Sequence, residues 1–333
     1  MLIIDSYPLA VVMLFVTMLC WGSWANTQKL ATKKWPFQLF YWDYTIGTVL
    51  LALIFGLTLG NTGEEGRSFF EDLSQANTEA LRSAFIGGVV FNIANLLLVA
   101  AIDLAGMAVA FPIGIGLALV LGVVVNYVAV PVGDPVLLFL GVALVTVAIV
   151  LDALAYRQKS GGVGVTTKGI MISLIAGVLM GFFFRFVAAA TIQNFASPEP
   201  GLMTPFSSVF VFSIGIFLSN FLWNTIFMYR PISGERVSYR QYFTQGNTRL
   251  HLIGILGGVI WCIGMSFSML ASEQAGFAIS YGLGQGATMI AAIWGVFIWK
   301  EFAGTSSKTK RLITTMFVFF TIGLALIILA RLN

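Results

Sequence analysis

Long apolar stretches separated by short polar ones run the whole length of the chain, near residues 8 to 28, 38 to 60, 83 to 102, 105 to 128 and 135 to 156, and again near 168 to 190, 205 to 229, 250 to 270, 275 to 298 and 311 to 330. A helix needs roughly 20 mainly apolar residues to cross a bilayer, so the pattern predicts an all-α integral membrane protein with ten transmembrane helices. They fall into two sets of five. Between the sets lies the polar, Gly- and Thr-rich segment 159–167, with basic residues on both flanks, which predicts a connector between a first repeat, residues 1–158, and a second, residues 168–333.

The two sets share more than hydrophobicity. Ala105 to Gly116, AGMAVAFPIGIG, is written again with substitutions as Ala275 to Gly286, AGFAISYGLGQG. At the same offset Gly87, Gly88 and Val89 pair with Gly257, Gly258 and Val259, Asp103 pairs with Glu273, and Phe111 pairs with Tyr281. Compositional coincidence does not align an acid, an aromatic and a Gly-Gly-Val triplet without a gap, so the halves are read as a duplication.

Composition agrees: 58% of residues are hydrophobic, 10% are charged, and the mean hydropathy is +0.93, far from soluble norms. The distribution of charge adds orientation. Lys29, Lys33, Lys34, Arg157, Lys159, Lys168, Arg230, Arg236, Arg240, Arg249, Lys300, Lys308, Lys310 and Arg311 all fall on one side of the predicted bilayer, and only Arg67, Arg82 and Arg331 on the other. By the positive-inside rule the connector is cytoplasmic and both termini lie outside, in a plasma (inner) membrane. The N-terminal MLIIDSYPLA has an acid where a signal peptide has basic residues, so the first apolar run is expected to remain as a helix. Five is an odd number, so the second set enters the membrane from the opposite face. Two tandem five-helix repeats become inverted repeats, as in many secondary transporters, with a site expected near the midplane between them.

Within the spans few residues can carry chemistry. Asp43 is the acid most clearly inside an apolar run; an intramembrane carboxylate is costly unless paired, hydrated or protonated, which suits a proton-coupling residue, while an interfacial Asp between Trp42 and Tyr44 is the plainer alternative. Asn92 and Asn95, and likewise Tyr281 and Gln285, lie one helical turn apart near the middle of the third and ninth helices. Together with Trp21, Trp24 and Phe111 they are expected to line a substrate cavity, since flat aromatic walls with a few amides suit a small polar ring. Interhelical hydrogen bonding is the competing role for the amides. Asp103 and Glu273, just before the repeated starts, are expected to cap helices. Cys20 and Cys262 lie in apolar runs and propose no disulfide or metal site. The connector lacks the Gly-Lys-Ser/Thr ending of a phosphate loop, so no cofactor and no nucleotide are expected, and nothing suggests a nucleic-acid partner.

Several segments carry a family resemblance: WGSW at 21–24, YWDYTIG at 41–47, the block 87–128, FMYRPI at 227–232, AGFAISYGLGQG at 275–286 and WGVFIWKEFAGTSSKTKR at 294–311. In these the chain resembles the drug/metabolite transporter superfamily, and within it the ureide permeases and glucose/ribose porters. The resemblance implies ten helices in two inverted five-helix repeats, and secondary transport, often proton-coupled, of ureides, nucleobases or sugars. Sodium stays open as the coupling ion. Two other classes stay open as well: an exporter or facilitator of amphipathic compounds on the same scaffold, and a membrane-embedded enzyme or a structural or receptor-like protein.

Overall fold

The computed structural model describes residues 1–31, 35–160 and 166–332; residues 161–165 of the predicted connector lie outside the described residues. Among the described residues ten helices are long and apolar enough to cross a bilayer. They are α1 (Tyr7–Leu30), α2 (Phe37–Asn61), α4 (Thr78–Ala105), α5 (Val109–Ala129), α6 (Pro135–Lys159), α7 (Thr167–Ala190), α8 (Pro205–Tyr229), α10 (Thr248–Ala275), α11 (Phe277–Ile298) and α12 (Ser307–Leu329). Two short helices complete the set, α3 (Phe69–Gln75) before α4 and α9 (Tyr239–Gln245) before α10.

The offset that aligns the sequence also aligns these elements. α4 and α10 are both 28 residues long. Each starts from an asparagine cap, Asn77 accepting from the Ala80 amide and Asn247 from the Leu250 amide, which satisfies a donor the first turn leaves free. Each stops at a glycine in the left-handed region, Gly106 at φ 74° and Gly276 at φ 80°, a conformation that other residues adopt only with strain. The chain then re-enters a helix at once. Asp103 and Glu273 therefore sit in the last turns of α4 and α10 rather than capping the helices that follow. Asp103 accepts from the Ser233 hydroxyl and Glu273 from the Phe195 amide.

Packing follows the same exchange. α4 lies against α7 and α8, and α10 lies against α1 and α2; α5 packs on α7 as α11 packs on α1. Where these helices cross, glycines bring backbone onto backbone. The space a Cβ would take at Gly88 is filled by the Phe212 carbonyl, and at Gly258 by the Tyr44 carbonyl; Gly215 and Gly47 face the carbonyls of Phe85 and Ile255 in return. Small residues at such crossings allow the close approach on which membrane helix packing depends. The pairing of α6 with α12 is mutual: Gly141 meets the Gly323 carbonyl, Gly323 meets the Gly141 carbonyl, and Ile327 and Val145 flank them in matching places.

The face poor in Lys and Arg is tied shut. Buried Asp72 accepts from Arg67 Nε at 2.9 Å and from the Thr204 amide at 2.7 Å. The Arg67 guanidinium also donates to the carbonyls of Glu199 and Leu202. On the same face the Met1 ammonium donates to the Glu65 carbonyl at 2.6 Å.

Candidate functional site

A cavity of about 590 Å³ opens where the two sets of helices meet, within the range of small-ligand sites. Its positions come from helices whose geometry is interrupted. α1 breaks at Trp24, α5 contains a π-helical segment Pro112–Gly116 because proline removes an amide from the ladder, and α11 breaks between Gly284 and Ala287. Trp24, Ile115 and Gln285, one from each interruption, line the cavity. Local unwinding at a site is what frees backbone and side chains to meet a ligand.

The inner wall is aromatic. Trp21 and Trp261 stack at 5.8 Å between ring centroids and 13° between planes, and the Trp21 indole N–H donates to the Trp261 carbonyl at 3.2 Å. Gly264 and Gly284 make the slot for the Trp21 ring, since a Cβ at either would fall on it. Phe91 packs on Trp261 at 4.4 Å. Two amides face this wall, Asn95 and Gln285, and Asn95 Nδ2 donates to the Tyr41 hydroxyl at 3.2 Å. Toward the opening the lining turns polar, with Gln28, Gln38, Asp103, Ser233 and Glu235. These sit at the ends of α1, α2, α4 and α8 that carry the Lys/Arg-rich loops, so the cavity opens to that face.

Of the residues expected to line a cavity, Trp21, Trp24, Asn95, Phe111 and Gln285 lie on this one. Asn92 and Tyr281 do not. Asn92 is fully buried and donates to the Ile216 carbonyl at 3.1 Å and to Ser219 Oγ at 2.9 Å, which makes it a tie between α4 and α8. The Tyr281 ring fills the place of a missing side chain at Gly122. Its hydroxyl is 3.2 Å from the carbonyls of Ala118 and of Met180. One helical turn is therefore enough to part each polar pair, because the two members lean to different neighbours.

Asp43 also stands away from the cavity lining. It is 1% exposed and faces α9 and α10 instead. Tyr242 donates its hydroxyl to Asp43 Oδ1 at 2.5 Å, and His251 Nδ1 lies 2.9 Å from Oδ1 and 3.0 Å from Oδ2. Burial first, and then the adjacent carboxyl, raise the Tyr242 phenol above its usual pKa, so it holds its proton and acts as a donor. Trp35 closes the cluster, edge-on to His251 at 5.5 Å. One face of α10 runs from this cluster to the cavity: His251, then Gly254 against Asp43, then Gly258, then Trp261 in the wall, a span of about 15 Å. His251 and Tyr242 carried little signal in the sequence, where one is a lone histidine at a helix start and the other lies in a polar loop. No group of three metal-ligating side chains exists among the described residues.

The family model described as ureide permease matches residues 40–164 and 159–330. Ureide permease 1 of Arabidopsis thaliana is 24% identical, over 98% of this chain and 98% of that protein, and ureide permease 2 of the same plant is 23% identical with equal coverage. Transmembrane protein 144 homolog B of Dictyostelium discoideum is 26% identical, over 50% of this chain and 42% of that protein. A solved crystal structure with 16% identity superposes at a TM-score of 0.61, over 98% of this chain and 99% of that one, and shares the fold.

Proposed function

Because the chain belongs to the ureide permease family, we propose that it is a proton-coupled secondary transporter of a ureide or a related small, polar, uncharged metabolite. A permease moves its cargo unchanged, and the protein is a transporter, not an enzyme. The cavity carries the substrate reading: two stacked indoles and two amides, Asn95 and Gln285, suit a flat ring bearing amide donors and acceptors. Charge is nearly absent from the inner wall, and the acids Asp103 and Glu235 stand only at the opening.

The halves are read as inverted repeats. The matched elements α3 with α4 and α9 with α10, the exchanged helix pairs and the mutual Gly141 to Gly323 contact support this, since a two-fold relation makes each partner meet the other through the same residues. With both termini outside, the cavity opens to the cytoplasm and the tied face lies outside. The state is inward-open.

Asp43 is the coupling residue in this reading. It is a buried carboxyl outside the cavity that ties α2 to α9 and α10 and, in this reading, gains and loses a proton without touching cargo. The test is uptake into proteoliposomes of a labelled cyclic ureide such as hydantoin, with and without an imposed pH gradient. Wild-type protein accumulates label along the gradient and Asp43→Asn only equilibrates it. Accumulation by Asp43→Asn with an unchanged pH dependence removes Asp43 from the coupling role.

A further inference from the structure

If Asp43 binds the coupling proton, the proton needs a way on and off, and the carboxyl itself is 1% exposed. Its surroundings offer one. Among the described residues the titratable groups that face it are Tyr242 from α9 and His251 from α10. On its own helix Tyr41 turns to Asn95, Tyr44 to Trp24 and Trp42 to Met228 of α8. Arg240 and Arg249, on α9 and α10, point their charge into solvent.

The two partners differ in what they can do. The Tyr242 phenol is raised and gives up no proton near neutral pH. The His251 side chain is 29% exposed in the first turn of α10, and an imidazole can accept a proton at one ring nitrogen and release one from the other. Its two nitrogens have separate surroundings. Nδ1 lies against both carboxyl oxygens; Nε2 faces Gly246, where a Cβ would land on Nε2 and Cε1. Glycine at 246 leaves that edge without a side chain over it, since any Cβ would strike the ring and the Tyr242 carbonyl as well. Edge-on contacts from Trp35 at 5.5 Å and Tyr242 at 4.9 Å fix the ring plane.

We infer that His251 carries the coupling proton between Asp43 and the Lys/Arg-rich face, with Tyr242 holding the carboxyl in register; this rests on the reading of Asp43 as the coupling residue. On release, the Asp43 O–H bond breaks and its proton passes to Nδ1, giving an imidazolium beside a carboxylate. The Nε2–H bond then breaks to a water at the Gly246 edge, leaving a neutral ring whose Nδ1–H donates to the carboxylate. Loading runs the two steps backwards. The proton path and the substrate path stay separate along α10 while both open to the same face.

The experiment uses the full chain in proteoliposomes with hydantoin as probe, comparing proton-driven accumulation with exchange at equal pH on both sides. His251→Ala and His251→Gln should slow accumulation at least about tenfold and leave exchange near wild type. Millimolar imidazole should restore accumulation to His251→Ala in proportion to its concentration. Gly246→Leu, whose Cβ would fall on Nε2 and on the Tyr242 carbonyl and so displace the ring, should slow accumulation with exchange retained. Wild-type accumulation and pH profile in both histidine variants would overturn the inference, and so would a slowed His251→Ala that imidazole fails to rescue, which would mark a packing role. Asp43→Asn run beside them separates the two ideas: if it still accumulates with unchanged pH dependence, the Asp43 reading has failed, and if it alone loses accumulation, only the histidine path has.

Discussion

α3 and α9 have the same length, the same place before a 28-residue helix and the same offset, yet they hold opposite faces by opposite chemistry. At the Lys/Arg-poor face α3 presents Asp72, locked by Arg67 and the Thr204 amide, with side-chain exposures of 12% for Arg67 and 0% for Asp72. At the position of Asp72, α9 presents Tyr242, which holds Asp43 beside a partly exposed histidine. Arginine is a permanent cation; imidazole is the side chain that proteins use as a switch. In the proposed reading the closed face is held by a permanent lock, and the open face by one that a proton can change. The scaffold is repeated, and the titratable chemistry is not.

The largest effect expected from breaking this contrast is at the permanent lock. Arg67→Ala leaves Asp72 as a buried carboxylate without its cation, which costs about 3–5 kcal/mol, read as a large drop in the thermal unfolding midpoint in detergent. A wild-type midpoint would mean that the pair does not hold the face. Next comes the changeable lock: Tyr242→Phe removes a hydrogen bond to a carboxyl group, worth about 1.5–3 kcal/mol, while His251 still partners Asp43. The shared scaffold gives a symmetric test. Gly88→Ala and Gly258→Ala each push a methyl against a carbonyl across a helix crossing, for about 1–3 kcal/mol. Their losses should agree closely, and a large disparity would break the equivalence of the halves.

The smallest effect belongs to an exposed ion pair of the open face, Lys29 with Glu301 at 3.2 Å, whose side chains are 50% and 24% exposed. Burial raises the Glu301 carboxyl, but the Tyr156 hydroxyl and the Lys29 and Lys159 ammonium groups outweigh it and leave its pKa below the usual value. A folded pKa below the unfolded one, about 4.3, gives a contribution present above that value and lost as pH falls through the lower folded one. Lys29→Ala should cost no more than about 1 kcal/mol at pH 7 and still less in high salt. Glu301→Gln should flatten the fall in unfolding midpoint expected below about pH 4.

Sequence reading reached the parts of this molecule that periodicity and spacing encode. The ten spans, the offset joining Gly88 to Gly258, and Trp21, Trp24 and Gln285 on the cavity wall were all legible, because each depends on local pattern or on repetition. Tyr281 and Asn92 misled for a geometric reason: residues one turn apart share a face only approximately, and a small rotation sends one to the cavity and the other into a helix crossing. The partners of Asp43 were out of reach. His251 is 208 residues away, and only the α2 to α10 crossing, set by backbone contact at Gly47 and Gly258, brings them together. α3 and α9 were hidden as well, each being a seven-residue helix in a segment too polar to show as a span.

The seam between α6 and α12 has a mechanical meaning. No residue of either helix lines the cavity, and the reciprocal meeting of Gly141 with Gly323 sets backbone against backbone. Sliding by a single residue would put Val142 or Leu324 where only a hydrogen fits. Translation along the seam is therefore blocked, and rotation about it is the motion left. A rotation there displaces the more distant helices farther than it displaces the seam itself. In the proposed transport cycle the seam would serve as the spine of a book, its stiffness letting the pages open to one side at a time.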